Sequence, residues 1–231
     1  MRAMIGLCAA VALLSATPAA ADCDDKPKAG VDWSECHKQH LILRGMELPK
    51  SKMVQSDLSA TDFLEADLSG SDLTGATVAR SRFKDANLEG ARLDKVYAYR
   101  ANLTGANLSG ASLAKAELDR AQLQGAVLTG ADLTKASLGR ADLRKADLRE
   151  AKLVQAYLAR TNFSGAALAG ADFSKAYFLL TRIEGADLSA ALGLDQEQLA
   201  ESCGDQATKL PAGLTAPPSW PCPPVEEEAP E

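Results

Sequence analysis

The sequence predicts a solenoid, a superhelix of short segments and corners wound around one narrow core. Three observations carry this expectation. First, a large apolar residue recurs every five positions from Leu58 to Leu188 without a break in register. Of the 27 central positions in that phase, 19 are Leu and five are Phe (Phe63, Phe83, Phe163, Phe173, Phe178), and the others are Val78, Ile183 and Ala98. A helix repeats its buried face every ~3.6 residues and a strand every ~2, so a period of five belongs to neither. Second, the residue two places earlier is Ala in 20 of the 27 blocks and Ser or Thr in six. A position restricted to small side chains is inside but cramped. Third, the remaining positions vary freely among polar residues and glycine, and ten blocks end in Gly, as a corner with a permissive backbone requires. The block Val96-Tyr97-Ala98-Tyr99-Arg100 supports the rule by inverting it: volume moves from the central to the cramped position while the total is roughly kept.

From Ala106 the chain reads ANLSG, ASLAK, AELDR, AQLQG, AVLTG, ADLTK, ASLGR, ADLRK, ADLRE. This A-[D/N]-L-x-x pattern resembles the pentapeptide-repeat family over residues 41–190, about 30 tandem copies. The resemblance implies an all-β fold, a right-handed, four-sided parallel β-solenoid with four blocks per coil. It further implies 20 residues per coil and about seven coils, a rod roughly 35 Å long at the ~4.8 Å spacing of stacked strands.

Taken in order, residues 1–21 read as a secretory signal. Arg2 is the basic start, Met4 to Leu14 the apolar run, and Ala19-Ala20-Ala21 a small-residue site with cleavage after Ala21. The mature chain is then expected in the periplasm or outside the cell. Residues 22–40 form an N-terminal cap segment, with Val31-Asp32-Trp33 packing on the core. The solenoid spans 41–190 and opens with degenerate blocks (LILRG, MELPK, SKMVQ). Their larger Leu41 and Met46 suit a first coil with no neighbour on one side. Residues 191–222 form a C-terminal cap. Asp195 to Ala200 reads as a short capping helix opened by an Asp195/Gln198 capping box, and Leu192, Leu194 and Leu199 cover the open end of the core. The Pro-containing stretch that follows resembles C-terminal caps of some exported pentapeptide-repeat proteins. Such a cap stops exposed strand edges from stacking. Residues 223–231 are acidic and are expected to form a disordered tail.

Removal of the signal leaves Cys23, Cys36, Cys203 and Cys222, all outside the repeats. Three pairings are possible. A rod between the two pairs favours Cys23–Cys36 and Cys203–Cys222, each stapling a cap with a small core of its own.

The whole chain carries a formal charge of −6. Within residues 41–190, however, 20 basic and 18 acidic residues give +2, so the acidity lies in the flanks. With 20 residues per coil, residues 20 apart stack on one side. One face then lines up Arg80, Arg100, Arg120, Arg140 and Arg160 at its block ends and carries every tyrosine, Tyr97, Tyr99, Tyr157 and Tyr177, at outward positions. The face before it stacks Lys95, Lys115, Lys135 and Lys175, with Gln155 in the gap. Duplication of a 20-residue unit would produce such rows without selection. The functional reading is a docking face, because Arg and Tyr are enriched at interface hot spots and a rigid sheet presents them at little ordering cost.

Candidates for chemistry are few. Cys36-His37-x-x-His40 with Cys23 has the residue types of a metal site, but the spacing is loose, and a disulfide with two solvated histidines is the favoured reading. Asp132, Asp142, Asp147 and Asp172 occupy outward positions and read as solvated surface. No Ser-His-Asp set, phosphate loop or HExxH occurs, so neither an enzyme nor a cofactor is expected. The reading is an exported interaction module with an envelope protein or an anionic polymer as partner. No nucleic acid is expected, and a dimer is left open. The family resemblance implies an alternative, a topoisomerase (gyrase) inhibitor acting as a DNA mimic. The export signal and the basic face both count against it.

Overall fold

The computed structural model describes residues 21–222. The expected signal, apart from Ala21, and the acidic tail beyond Cys222 lie outside the described residues.

The backbone hydrogen bonds explain the five-residue rule. Each N–H and C=O needs a partner, and a block with positions one to five distributes its donors regularly. In the block Ala116–Arg120, the second residue donates to the coil before (Glu117 to Val96 O, 2.9 Å), and the third to the coil after (Leu118 to Ser137 O, 2.7 Å). The fifth also reaches the coil after (Arg120 to Gly139 O, 2.9 Å), while the first residue of the next block closes the corner within the coil (Ala121 to Leu118 O, 3.0 Å). The result is a column of parallel bridges between second positions 20 residues apart, such as Tyr97 with Glu117 and Val127 with Asp147.

One donor is left over, the N–H of the fourth residue. In many blocks the side chain at the second position accepts it, as in Thr134 to Asp132 Oδ1 (2.9 Å), Ser109 to Asn107 Oδ1 (3.1 Å) and Ser174 to Asp172 Oδ1 (2.9 Å). The recurring Asp and Asn are therefore corner-forming acceptors, as short polar side chains are in Asx turns. Asp132, Asp142, Asp147 and Asp172 all act in this way, a role beyond the solvated surface expected of them.

The fifth residue turns the corner with positive φ in each block from Gly30 to Gly185, whether it is Gly130 (66°) or Arg120 (58°). A non-glycine residue there bears a cost of roughly 1–2 kcal/mol. A Cβ at Gly130 would meet nothing within 4 Å, so space does not exclude larger residues. First and third residues form one continuous buried core, including the inverted pair Val96 and Ala98. Where Ser or Thr takes the first position, its hydroxyl bonds inward to a carbonyl, as Ser81 Oγ does to Leu58 O (2.7 Å) and Thr161 Oγ1 to Leu138 O (2.7 Å). Phe63 stacks on Phe83 inside the rod, with centroids 4.6 Å apart.

At the N-terminus the pattern begins before Leu41. Bridges join Asp32 to Lys52 and His37 to Asp57, and Val31, Trp33 and Cys36 are buried in register. The cap segment therefore contributes to the first coil. Its start was hidden because Trp33 and Lys38 hold third positions where Leu is usual. Lys38 Nζ lies 5.1 Å from the centre of the Trp33 ring, whose Nε1 donates to Asp25 O (3.0 Å).

At the other end the period breaks. Gly193 occupies a third position with φ 65°, and a Cβ there would lie 2.1 Å from Ser174 Oγ. The short helix α1, Gln196–Ala200, follows. Gln198 N donates to Asp195 Oδ1 (2.9 Å) and Asp195 N to Gln198 Oε1 (2.8 Å), a reciprocal capping box. The amide of Gln198 also donates to Phe173 O and Ala176 O (3.0 and 2.9 Å), and Leu199 is buried against the core. Strand β1, Thr181–Arg182, then pairs in parallel with β2, Ser202–Cys203, at an offset of 21, and Asp187 pairs with Lys209 at 22. Leu194 packs on the core as expected, but Leu192 does not. It is 56% exposed, because it sits at a second position, bridged to Asp172, and points outward.

Cys23 lies against Cys36 and Cys203 against Cys222, with Cα–Cα separations of 5.5 and 5.3 Å, both in disulfide geometry. No helix among the described residues is long and apolar enough to cross a membrane.

Candidate binding face

The bridges bring the predicted arginine–tyrosine residues onto one strip. Thr77, Tyr97, Glu117, Ser137, Tyr157 and Tyr177 are joined successively at second positions, so their side chains leave the same side of the rod in consecutive coils. The corner that ends this face holds Arg80, Arg100, Arg120, Arg140 and Arg160, each with φ between 56 and 59° and each exposed. The corner that begins it holds Lys95, Lys115, Lys135 and Lys175, also exposed, with φ from 57 to 61°. The face is thus a strip edged by lysines on one side and arginines on the other.

These cations differ from others on the rod. Arg82 Nη2 donates to Asp62 Oδ2 (2.6 Å), and Arg149 Nη2 to Asp147 Oδ2 (2.6 Å). The hydrogen bond from Arg149 holds the Asp147 carboxyl below its ordinary range. Such arginines sit at second or fourth positions, within reach of second-position carboxylates. A corner residue in the left-handed region projects away from those carboxylates. None of the five arginines or four lysines of the two corners has an ion pair or side-chain hydrogen bond among the described residues. Arg100 makes a cation–π contact, its guanidinium 5.4 Å from the centre of the Tyr99 ring.

The tyrosines form two pairs. Tyr97 stacks with Tyr99 (6.4 Å between centroids), and Tyr157 with Tyr177 (5.3 Å, 13° between planes). Tyr97, Tyr157 and Tyr177 are 41–50% exposed. Gly139 makes room for the second pair, since a Cβ there would lie 3.2 Å from Tyr157 Cε1 and 2.5 Å from Asp119 Oδ1. Ser137 Oγ donates to Asp119 Oδ1 (2.9 Å) between the pairs. Sequence reasoning missed two features here. The room that Gly139 leaves is one, and its signal is a glycine at the fourth position, where the pattern has few. Leu180 follows Arg160 in the corner column as a 47% exposed apolar residue in the same block as Tyr177, and its place in the block AYFLL is the available signal.

His37 and His40 are exposed at a second and a fifth position of this face, near the N-terminal end. The pairing of Cys36 with Cys23 removes both thiolates from the metal reading of that segment.

A model of the family described as pentapeptide repeats matches residues 47–78, 81–120, 121–158 and 151–189. The chain belongs to the pentapeptide repeat family. Its fold, a right-handed four-sided β-helix, accords with the 20-residue offset of the bridges. Among solved structures, the pentapeptide repeat protein HetL, involved in heterocyst differentiation regulation in the cyanobacterium Nostoc, is 30% identical. The alignment covers 76% of this chain and 90% of HetL, with a TM-score of 0.42. A trypsin-treated form of QnrB1, a plasmid-mediated fluoroquinolone resistance protein, is 22% identical over 75% of this chain and 91% of its own, with a TM-score of 0.49. Rfr23, a pentapeptide repeat protein from the cyanobacterium Cyanothece, is 24% identical over 58% and 63%, with a TM-score of 0.26. No curated protein sequence matches the chain. Pentapeptide repeat proteins are generally structural or interaction modules.

Proposed function

We propose that the protein is an exported, non-enzymatic rod of about seven coils that docks an anionic partner on its arginine–tyrosine face. One observation carries the reading: two rows of exposed corner cations, unpaired among the described residues, border the strip that bears every tyrosine. Maintaining like charges in register along one edge opposes stability, and an anionic surface would relieve that repulsion. The basic, apolar and small-residue pattern of residues 1–21 supports export, and paired cysteines suit an oxidising compartment. On this reading helix α1 and the Cys203–Cys222 loop are a cap that keeps the last coil from pairing with another chain.

The test is elution from an anionic resin. The triple variant R100S/R120S/R140S should leave at clearly lower salt than the parent, with the melting temperature nearly unchanged. Equal elution would reject the face. Family membership also brings the reading of a DNA-mimicking gyrase inhibitor. A DNA mimic needs an acidic strip, so cation rows favour the first reading. Inhibition of gyrase supercoiling by the full chain would reverse that order.

A further inference from the structure

We infer that the partner on this face is a linear acidic polysaccharide lying along the rod axis, with its carboxylates on the arginine row and its sugar rings on the tyrosine pairs. The inference rests on the docking-face reading above and adds the chemistry of the partner.

Four features point to a regular polymer of carboxylated sugars. The first is translation. The arginine row presents one guanidinium per coil over five successive coils, held by identical corner hydrogen bonds (Arg100 N to Asp119 O, Arg120 N to Gly139 O, Arg140 N to Ala159 O). The rise per coil, ~4.8 Å, is close to the length of one pyranose unit in an extended chain. Successive rings turn about the chain axis, so a ligand with one acid group per unit brings a carboxylate back to the same side every second or third coil and stays commensurate with the row, which an irregular protein surface cannot.

The second feature is the choice of arginine. Its planar fork matches a carboxylate through two parallel N–H···O bonds, and here the fork is not already engaged by a protein carboxylate. The lysine row on the opposite edge adds unspecific attraction.

The third is the placement of the aromatic rings. Hot spots of protein interfaces cluster near the centre. Here Tyr97 and Tyr99 stand near one end of the arginine row, and Tyr157 and Tyr177 at the other. Between them the face is low, with Ser137 and Gly139 at its middle. Two half-exposed aromatic platforms separated by three coils suit the apolar ring faces of a saccharide chain passing over both. Glu117 and Asp119 are the carboxylates on this strip. Asp119 accepts from Ser137 Oγ, and nine cations on the two edges outweigh the pair.

The fourth feature separates glycans from nucleic acid. Single-stranded nucleic acid also combines phosphates with rings that stack on aromatics. The paired cysteines at both ends suit an oxidising compartment, where glycans and not nucleic acids are the abundant polyanions.

Binding of the full chain to oligogalacturonate, inorganic polyphosphate, a neutral glucan and a single-stranded oligonucleotide tests the inference by calorimetry. The parent should bind oligogalacturonate with an affinity that falls as salt rises, and should bind the glucan at least tenfold more weakly. Tyr157→Ser with Tyr177→Ser should weaken oligogalacturonate binding more than tenfold while leaving polyphosphate binding unchanged. Equal binding of polyphosphate and oligogalacturonate, with neither affected by the tyrosine changes, would overturn the saccharide and keep a simple anion-docking face. Tighter binding of the oligonucleotide than of oligogalacturonate would also overturn it. No binding of any polyanion would overturn the docking face as well. A melting curve for each variant shows that it is folded.

Discussion

Leu128 and Leu192 belong to runs of similar texture, AVLTG and ALGLD, yet Leu128 is fully buried and Leu192 is 56% exposed. The middle of the rod and its C-terminal end differ in what lies beside each coil. In the middle, every coil has a neighbour on both sides at an offset of 20, and the backbone donors of the first, second, third and fifth positions find the same partners as their counterparts one coil away. Beyond Ala190 the described residues form no further regular coil, and the donors of the last one are accepted by the cap, Leu180 N by Glu201 O, Ile183 N by Cys203 O and Leu188 N by Lys209 O. The offset grows to 21 and then 22, and single residues take over: Gln198 satisfies two carbonyls, Leu199 covers the core, and Lys209 replaces a block. Stability in the middle is a sum of nearly equal neighbour terms, as in other solenoids. At the end it depends on a few residues with no second copy.

The largest expected effect comes from the middle. Leu128→Ala removes buried methyl groups between coils that cannot collapse without breaking the bridges, and should cost about 2–5 kcal/mol. Leu192→Ala should fall within about 0.5 kcal/mol of the parent. Denaturant midpoints measure both. Similar losses at the two positions would reject the phase assigned to Leu192.

Next comes the staple of the end. Cys203 and Cys222 close a loop with a sequence separation of 19, for which the chain-entropy relation gives about 3 kcal/mol. Cys203→Ser with Cys222→Ser should lower the melting temperature and expose the end first. In hydrogen exchange, Leu180 and Ile183, whose amides bond Glu201 and Cys203, should lose protection before Leu128 does. Uniform loss along the rod would mean that the end and the middle unfold as one unit.

Glycines sharpen the contrast. Gly193→Ala would push a Cβ to 2.7 Å from the backbone N and Cα of Ser174, at a positive φ, and should cost about 1–3 kcal/mol. Gly130→Lys repeats what Lys115 and Lys135 already do in the same left-handed region, with open space around its Cβ, and should cost only the roughly 1–2 kcal/mol that any non-glycine corner bears, with no clash added. Thermal melts of the two variants compare them directly.

This difference between regions also governs what the sequence discloses. In the middle, one rule applied many times makes burial readable from letters alone, down to the exchange of volume between Val96 and Ala98. Membership of the arginine and tyrosine columns is readable too, because a fixed offset of 20 is a pure translation. The acceptor role of Asp132 or Asn107 was not, since polarity suggests solvent and only the hydrogen-bond pattern reveals the leftover fourth donor. The ring pairing, the room at Gly139 and the unpaired state of the corner cations depend on side-chain direction, which composition does not carry. At the ends the rule has no second copy to check it against, so Trp33 and Lys38 hid the first coil and Leu192 was assigned to the core.

The smallest expected effect lies in the replacement for the last block. Asp187 stands at a second position and accepts from Lys209 Nζ (2.8 Å), Ser189 Oγ (2.6 Å) and Ser189 N (3.1 Å). The Lys209 hydrogen bond is the chief cause that lowers its carboxyl from 3.8 to about 2. A depressed pKa in the folded state means that the ionised form favours folding. That contribution is complete above the unfolded value near 3.8, and it is lost as pH falls through 2. Both side chains are open to water, at 43% and 68% exposure, so solvent screens the pair and the effect is slight. Asp187→Asn should therefore melt a little below the parent at pH 6, and the gap should close between pH 4 and 2. A gap that persists below pH 2 would assign the role of Asp187 to the shape of the corner and not to its charge.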